Sequence, residues 1–226
     1  MENYGYIDRN LNSLLEEIAT LGKGRVTLVG VTKSGSDEEL VALCRAGLAD
    51  VGENRPQELV RRGALLKEAG LSPRLHEIGN LQRNKVKSII SEVALIHSLD
   101  GYSLALEINK QAEKVGRRVP VLIEINSARE ENKGGILPEE AEEFFLKVRE
   151  LPNIAVSGLM TMGPVLDDPE DMRPYFRLTK EIFDKIKETY GFEGDGILSM
   201  GMSDSYAVAI DEGATLVRVG RRLFTK

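Results

Sequence analysis

Eight short apolar runs, separated by segments with helical spacing, limit what this chain can fold into more than any other feature. The runs read RVTLVGVTK, ADVGEN, RLHEIG, LIHSLD, VPVLIEIN, IAVSGLM, ILSMG and TLVRVG. They lack the regular polar alternation of a strand with one face in water, which indicates strands covered by protein on both faces. Strands that alternate with helices predict a parallel sheet with crossover helices.

The segments between the runs carry apolar residues at the spacing of an amphipathic helix. In PEEAEEFFLKVREL the apolar face consists of Ala141, Phe144, Phe145 and Val148. In YFRLTKEIFDKIKETYG it consists of Phe176, Thr179, Ile182, Phe183 and Ile186. A further amphipathic helix precedes the first run, and its apolar face consists of Ile7, Leu11, Leu14, Leu15 and Ile18.

Eight strand and helix units in 226 residues fit a closed (β/α)8 TIM barrel better than an open doubly wound sheet. No linker, low-complexity tract or change of composition interrupts the chain. We therefore expect an α/β fold with one barrel domain over residues 1–226 and an extra helix at its N-terminus.

Composition and charge exclude several classes of protein. The 30 Lys and Arg residues against 36 Asp and Glu give a net charge of -6, which argues against nucleic acid as the main partner. No apolar run approaches the ~18 residues of a membrane span. The single cysteine, Cys44, cannot form an internal disulfide and is interpreted as a small buried residue. A reducing, cytoplasmic location without a membrane partner is expected.

The two histidines of the chain give no sign of a metal site. His76 and His97 both lie on apolar runs, without a nearby cysteine and without the spacing of a zinc-binding helix. His97 is interpreted as a core histidine whose ring nitrogens have hydrogen-bond partners. We predict no metal.

Functional residues of a barrel collect in the loops that follow the carboxyl ends of its strands. Lys33 is the last residue of the first run, and other loops at this end supply the side chains of Asn54, Asn80 and Asn126. A lysine at such a place is either a solvated strand end or a reactive amine held on a rigid support. The surrounding amide, hydroxyl and glycine groups favour the reactive amine.

Two loops near the end of the chain, SMGMSDS and RVGRR, combine glycine with hydroxyls or arginines. Glycines and amides at a helix N-terminus attract phosphate, and barrels often hold one beside strands seven and eight. Strand eight of a closed barrel adjoins strand one, so a phosphate there lies beside Lys33. A ligand with a phosphate at one end and an aldehyde at the other fits both positions.

Pyridoxal 5'-phosphate (PLP) is the common ligand of that kind, and a lysine binds its aldehyde as a Schiff base. Arg218 is the last inward-facing charged residue of strand eight. It is the candidate partner of the pyridine nitrogen. A protonated arginine keeps that nitrogen neutral, which makes the ring a poorer electron sink than a pyridinium.

Motifs along nearly the whole chain carry a resemblance to a known family. They are LVGVTK, VGENRPQE, HEIGNLQRNKVK, IHSLD, VLIEIN with ENKGGI, GLMTM, and LSMGMSDSYAVAIDEGATLVRVGRRLF. In this order, the chain resembles the pyridoxal phosphate homeostasis protein family, whose members are single-domain relatives of the N-terminal barrel of alanine racemase. SMGMS followed by GATLVRVG is the most specific part of the match.

The resemblance implies a set of PLP-binding residues. Lys33 would carry PLP covalently as an internal aldimine, and Asn54 would lie beside the cofactor. The remaining members of the set are Met200, Ser203, Arg218, Gly220 and Arg221. Within it, Ser203 and the amides of Gly220 and Arg221 would hold the phosphate, and Arg218 would lie near the pyridine nitrogen. No residue is assigned as catalytic.

The chain departs from the family pattern at two positions. Asn80 stands where the family often has histidine, which leaves the role of an imidazole at this rim open. Arg221 stands where the family often has threonine or serine, so a hydroxyl is lost but a cation is gained. Phosphate binding is expected to survive the second change.

Two of these residues have structural alternatives. Asn54 is a favoured N-cap residue, and Pro56 suits the first turn of a helix beginning at RPQELVRR. The alternative for Arg218 is an ion pair inside the barrel with a glutamate such as Glu124, and the role beside the cofactor is favoured over it.

Three classes of function remain: a PLP carrier, an amino-acid racemase and an adaptor. A racemase of the alanine racemase type needs a second acid or base, a tyrosine that the partner subunit supplies, and a second domain helps to close the site. This chain ends shortly after its last run, and only Tyr102 and Tyr206 lie just past a strand end. An adaptor has the least support, because no exposed binding groove is marked in the sequence.

The expected function is intracellular PLP (vitamin B6) homeostasis, in which the chain holds PLP and supplies or buffers it with little or no turnover. The alternative is a PLP-dependent amino-acid racemase. The expected partners are PLP and the PLP-dependent apoenzymes that receive it, and a monomer is expected.

Overall fold

The computed structural model describes residues 4–226. Eight parallel strands pair in chain order, and the eighth pairs with the first to close a barrel. The strands are β1 Thr27–Val31, β2 Asp50–Glu53, β3 Arg74–Glu77, β4 Leu95–Leu99, β5 Val119–Glu124, β6 Ile154–Met160, β7 Ile197–Ser199 and β8 Leu216–Val219. The predicted (β/α)8 barrel is confirmed.

Helices surround the strands. They are α1 Gly5–Leu21, α2 Asp37–Arg45, α3 Pro56–Glu68, α4 Arg83–Ile89, α5 Tyr102–Lys114, α6 Ala141–Arg149, α7 Arg173–Tyr190, α8 Tyr206–Asp211 and α9 Arg221–Phe224. Short 3-10 turns at Pro138–Glu140 and Pro169–Met172 lead into α6 and α7. The extra helix α1 precedes β1 and packs against α2, α8 and α9.

The start of α2 limits the length of the loop that carries Lys33. The Ser36 hydroxyl accepts the backbone N–H of Glu39 at 3.2 Å, and the Glu39 carboxylate accepts the backbone N–H of Ser36 at 2.6 Å. This reciprocal capping box satisfies two of the backbone donors that a helix start leaves unpaired. The loop between β1 and α2 is therefore short and ends at a defined residue.

Strand side chains alternate between two environments. One set faces the surrounding helices and forms the main hydrophobic core. A smaller apolar cluster fills the inside of the barrel and consists of Val29, Leu95, Leu122, Met160 and Leu216. Because side chains of a strand repeat every two residues, His97, Glu124 and Arg218 share the inner face with Leu95, Leu122 and Leu216 respectively. The barrel interior is therefore apolar in one layer and polar in the next.

Cys44 is half-buried, and burial raises the pKa of its thiol to about 11. Among the described residues, no group of three His, Cys, Asp or Glu side chains is arranged to hold a metal ion. None of the helices within residues 4–226 combines the length and the apolar character that crossing a bilayer requires.

Two predicted details differ in the structure. β1 ends at Val31, so Lys33 lies in the turn after the strand and not at its end. Leu15 is 39% exposed, whereas the sequence placed it on the buried face of α1. Leu11, Leu14 and Ile18 form the buried stripe, and at 100° per residue Leu15 falls at its edge.

Replacement of Leu11 by alanine should destabilise the protein far more than the same change at Leu15. Leu11 is fully buried, and deletion of a buried leucine side chain costs about 2–5 kcal/mol. Leu15→Ala is the matched control on the same helix and should cost about 1 kcal/mol or less. Urea unfolding followed by circular dichroism measures both. Equal losses would contradict the packing of α1 described above.

Candidate functional site

Lys33 lies in the turn between β1 and α2 at the carboxyl end of the barrel. Its side chain is exposed. It opens onto a pocket of about 430 Å³. The other residues around this pocket are Ser34, Glu53, Asn54, Arg55, Glu58 and Arg62. The amine is therefore accessible to a ligand and to water.

A buried arginine holds the loop on both sides of Lys33. The Arg62 guanidinium on α3 donates to the carbonyl of Thr32 at 2.7 Å and to the carbonyl of Gly35 at 2.8 Å. It also donates to the Glu53 carboxylate at 2.8 Å, and the Thr32 hydroxyl donates to the same carboxylate oxygen. The backbone before and after Lys33 is thus tied to the end of β2 and to α3.

The pair formed by Arg62 and Glu53 is almost fully withdrawn from water. Removal of one partner of such a pair leaves an uncompensated buried charge, at a cost of about 3–5 kcal/mol. The arrangement therefore resists distortion, and an exposed amine sits on a rigid support.

Asn54 follows β2 and lines the pocket beside Lys33. The N-cap residue of α3 is Arg55, which makes no side-chain cap bond, so the predicted capping role of Asn54 is wrong. Pro56 occupies the first turn of α3 as predicted. Gly79 packs directly on the Asn54 backbone: a Cβ at Gly79 would lie 2.2 Å from the Asn54 carbonyl oxygen. This contact fixes the position of the Asn54 backbone at the rim of the pocket.

Arg218 lies inside the barrel and is buried. Its Nη1 donates to the Ser199 hydroxyl at 2.5 Å and its Nη2 to the Thr161 carbonyl at 3.1 Å. Burial lowers the pKa of Arg218 to about 10, which still leaves it protonated at neutral pH.

The predicted alternative of an ion pair between Arg218 and Glu124 is wrong, because the Arg218 guanidinium is bonded to Ser199 and Thr161. Burial raises the pKa of Glu124 to about 7, with a further rise from Asp100 and an opposing effect from Arg218. Glu124 therefore acts on Arg218 through the electric field and without direct contact.

The predicted phosphate residues come together where β8 meets β1. The Ser203 hydroxyl accepts the backbone N–H of Gly220 at 3.2 Å, which joins the loop after β7 to the start of α9. A Cβ at Gly220 would lie 2.8 Å from the Val31 carbonyl oxygen. Only glycine allows this approach, which brings Gly220 beside the strand that leads to Lys33. The Arg221 side chain is exposed and pairs with Asp204.

The remaining predicted positions have other surroundings. Met200 is fully buried in the main hydrophobic core, so its side chain packs against the helix layer. Its contact with a cofactor stays a prediction. Asn80 is exposed, and its amide donates to the Asp100 carboxylate at 3.4 Å.

The two tyrosines that follow strand ends are engaged outside this site. The Tyr206 hydroxyl donates to Glu17 on α1 and accepts from Arg222 on α9. The ring of Tyr102 lies 4.3 Å from the ammonium group of Lys147 on α6. Neither side chain lines the pocket around Lys33.

Three features of the site were missed from the sequence. They are the anchoring of the Lys33 loop by Arg62, the hydrogen bonds around Ser199, and the buried carboxyl of Glu77. Burial raises the pKa of Glu77 to about 8 against the opposing hydrogen bond from the Gly79 amide, and Glu53 raises it further. Polar residues inside otherwise apolar runs, such as Glu53 and His97, were the available signal.

Comparisons with known proteins identify the family and the fold of the chain. The family model of the alanine racemase N-terminal domain matches residues 5–225. A protein of Aquifex aeolicus named pyridoxal phosphate homeostasis protein is 46% identical over 208 residues, which cover 92% of this chain and 90% of the relative.

Two solved structures share the fold over nearly the whole chain. An unknown protein from Bifidobacterium adolescentis superimposes with a TM-score of 0.91 at 32% identity, over 99% of this chain and 97% of that one. PipY of Synechococcus elongatus, solved with PLP bound, superimposes with a TM-score of 0.85 at 26% identity, over 97% of this chain and 100% of that one. With its eight-stranded barrel and its match over nearly all residues, the chain belongs to the pyridoxal phosphate homeostasis protein family, which is built on the barrel of the alanine racemase N-terminal domain.

Proposed function

We propose that this protein holds PLP as a Schiff base on Lys33 and buffers or supplies the cofactor within vitamin B6 homeostasis, with little or no catalytic turnover. The Lys33 amine would add to the PLP aldehyde with loss of one water molecule. The observation that carries the proposal is an exposed amine on an anchored loop, at the end of the barrel where Gly220 packs on Val31 and donates to Ser203.

The residues present suit the three parts of PLP. Lys33 supplies an amine for the aldehyde, and Asn54 lies in the same pocket. The Ser203 hydroxyl proton and the backbone N–H of Arg221 would supply hydrogen-bond donors for the phosphate, while the Gly220 N–H holds the Ser203 oxygen in place. Arg218 supplies a buried guanidinium for the pyridine nitrogen. PLP itself supplies an electron sink when bound, and a cation beside its nitrogen makes that sink weaker.

Access to the site favours a carrier over a racemase. Lys33 is exposed, and water around a bound cofactor lowers the electrostatic advantage that a closed active site provides. A racemase needs an acid or base on each face of the substrate carbon. Tyr102 and Tyr206, the candidates for the second face, are engaged on the outside of the barrel. PLP-dependent apoenzymes are the proposed recipients of the cofactor.

The covalent bond is tested by absorption and mass spectrometry of the protein incubated with PLP. Borohydride reduction should leave one pyridoxyl group on the peptide that contains Lys33. Lys33→Ala should abolish the label and the visible absorption band. Lys67→Ala, a matched control at the end of α3, should change neither. A label that persists in Lys33→Ala would overturn the assignment of the cofactor amine.

The phosphate position is tested with the double variant Ser203→Ala, Arg221→Ala. Loss of the hydroxyl and of a nearby cation should weaken PLP binding about tenfold, the effect of one charge-assisted hydrogen bond. Pyridoxal is the control ligand, since it has the aldehyde but no phosphate, and its affinity should stay unchanged. Isothermal titration or absorbance titration measures both constants. An equal effect on the two ligands would place the phosphate elsewhere.

Carriage and turnover are separated by two assays on the PLP-loaded protein. Alanine and serine should keep their α-proton in deuterated buffer, because neither Tyr102 nor Tyr206 lines the pocket around Lys33. An apoenzyme that uses PLP should gain activity when mixed with the loaded protein. Exchange of the α-proton that disappears in Tyr102→Phe or Tyr206→Phe would instead support the racemase.

A further inference from the structure

A row of hydrogen-bonded polar side chains crosses the inside of the barrel. It runs from Asp50 on β2 through His76 on β3 and His97 on β4 to Ser199 on β7 and Arg218 on β8. The successive distances are 2.9, 3.0, 3.0 and 2.5 Å. The step from His97 to Ser199 spans the barrel from one side to the other. We call these five residues the barrel row.

The two ends of the barrel row have opposite character. Arg218 can only donate hydrogen bonds, and an ionised aspartate can only accept them. Burial would raise the pKa of Asp50, but hydrogen bonds from His76 and Arg74 outweigh it, and the pKa of Asp50 is lowered. Asp50 is therefore a carboxylate at neutral pH. Because Arg218 donates at one end and Asp50 accepts at the other, each hydrogen bond of the row is donated in the direction from Arg218 to Asp50.

That direction assigns the protons of both imidazoles. Ser199 accepts from Arg218 and directs its own proton to Nδ1 of His97. His97 then donates from Nε2 to Nδ1 of His76, and His76 donates from Nε2 to Asp50. Every hydrogen in this arrangement has an acceptor, and both rings are neutral. With a proton on both nitrogens, His76 would donate from Nδ1 to Nε2 of His97, and the proton of His97 would move to Nδ1. His97 would then donate to Ser199, and the Ser199 hydroxyl proton would have no acceptor in the row.

The barrel row links two surfaces. Its lower end, Asp50 and His76, lines an opening of about 390 Å³ at the amino ends of the strands, together with Arg74. Its upper end is Arg218, in the half of the barrel that carries Lys33. All five members are almost fully buried. An apolar filling would be at least as stable as a buried polar group, and the apolar cluster around Leu122 shows that this barrel accepts one.

We propose that His97 and Ser199 are positioning residues for Arg218, and that Asp50 at the lower opening sets the direction of the row that holds it. This inference rests on the proposed function, in which Arg218 serves the pyridine nitrogen. The Ser199 hydroxyl donates its proton to His97, and its oxygen accepts a hydrogen bond from Arg218. The other groups that face Arg218 are the Thr161 carbonyl from β6 and the Glu124 carboxyl from β5.

The proton assignment is tested without any cofactor. The chain has two histidines, so a long-range ¹H–¹⁵N correlation spectrum of the histidine-labelled protein at neutral pH contains two ring patterns. Both should show an unprotonated Nδ1 and a protonated Nε2, and no assignment is needed because the two are expected to agree. A ring with its proton on Nδ1, or with two protons, would overturn the direction of the row.

The effect on the site is tested with variants of the row and matched controls. Ser199→Ala should weaken PLP binding about tenfold, the worth of one charge-assisted hydrogen bond. The pH midpoint of the absorption of bound PLP should rise, since a displaced cation opposes protonation of the ring nitrogen less. Ser157→Ala removes another buried strand hydroxyl, which bonds only to the carbonyl of Ala155, and should change neither quantity.

The lower end is tested by Asp50→Asn, with Glu193→Gln as the control in the same opening. Asp50→Asn should shift the midpoint in the same direction as Ser199→Ala, and Glu193→Gln should leave it unchanged. Ser199→Ala and Asp50→Asn variants that behave like their controls would overturn the positioning role. Absence of a PLP band in the unaltered protein would overturn the proposed function instead, and the imidazole spectrum would still test the row.

Discussion

The pairing of β1 with β8 is the contact on which the rest of the site depends. The register from Thr27 opposite Leu216 to Gly30 opposite Val219 closes the barrel. It brings the loop of Lys33 beside residues from the far end of the sequence. Gly220 completes the closure, because a side chain there would strike the Val31 carbonyl. Backbone pairing therefore brings the loop of Lys33 to the same end of the barrel as Gly220, which is part of the proposed phosphate site.

Closure positions the loop, and the buried pair of Arg62 and Glu53 makes it rigid. An exposed lysine on a mobile loop would lose conformational entropy on binding a ligand. Here the carbonyls of Thr32 and Gly35 are already bonded to Arg62, so only the lysine side chain has to become ordered. Rigidity of the backbone and accessibility of the amine are therefore compatible, as the proposed uptake and release of PLP requires.

The sequence predicted the parts of the molecule that follow from local pattern. The eight strands follow from apolar runs, and the positions of Lys33 and Gly220 follow from barrel topology. It failed where three-dimensional packing decides. Leu15 lies at the edge of the buried stripe of α1 and is partly exposed. Asn54 is a favoured N-cap residue, but α3 begins one residue later, so that Arg55 is its N-cap. The roles of Arg62 and Ser199 depend on partners distant in sequence, which periodicity cannot reveal.

A carrier and a racemase on this barrel would differ in how far solvent reaches the cofactor site. They would not differ in the charged group beside the pyridine nitrogen. A guanidinium beside the pyridine nitrogen is common to the proposed site and to alanine racemases, so Arg218 alone favours neither function. What differs is the second face of the cofactor. A strong base or acid there needs a fixed side chain and little water. In this protein the amine of Lys33 is open to solvent, and Tyr102 and Tyr206 make their contacts with the outer helices. In the proposed function, an amine on a rigid loop and an open face would allow PLP to be held and released, and neither of these tyrosines lines the pocket where a second proton transfer would take place.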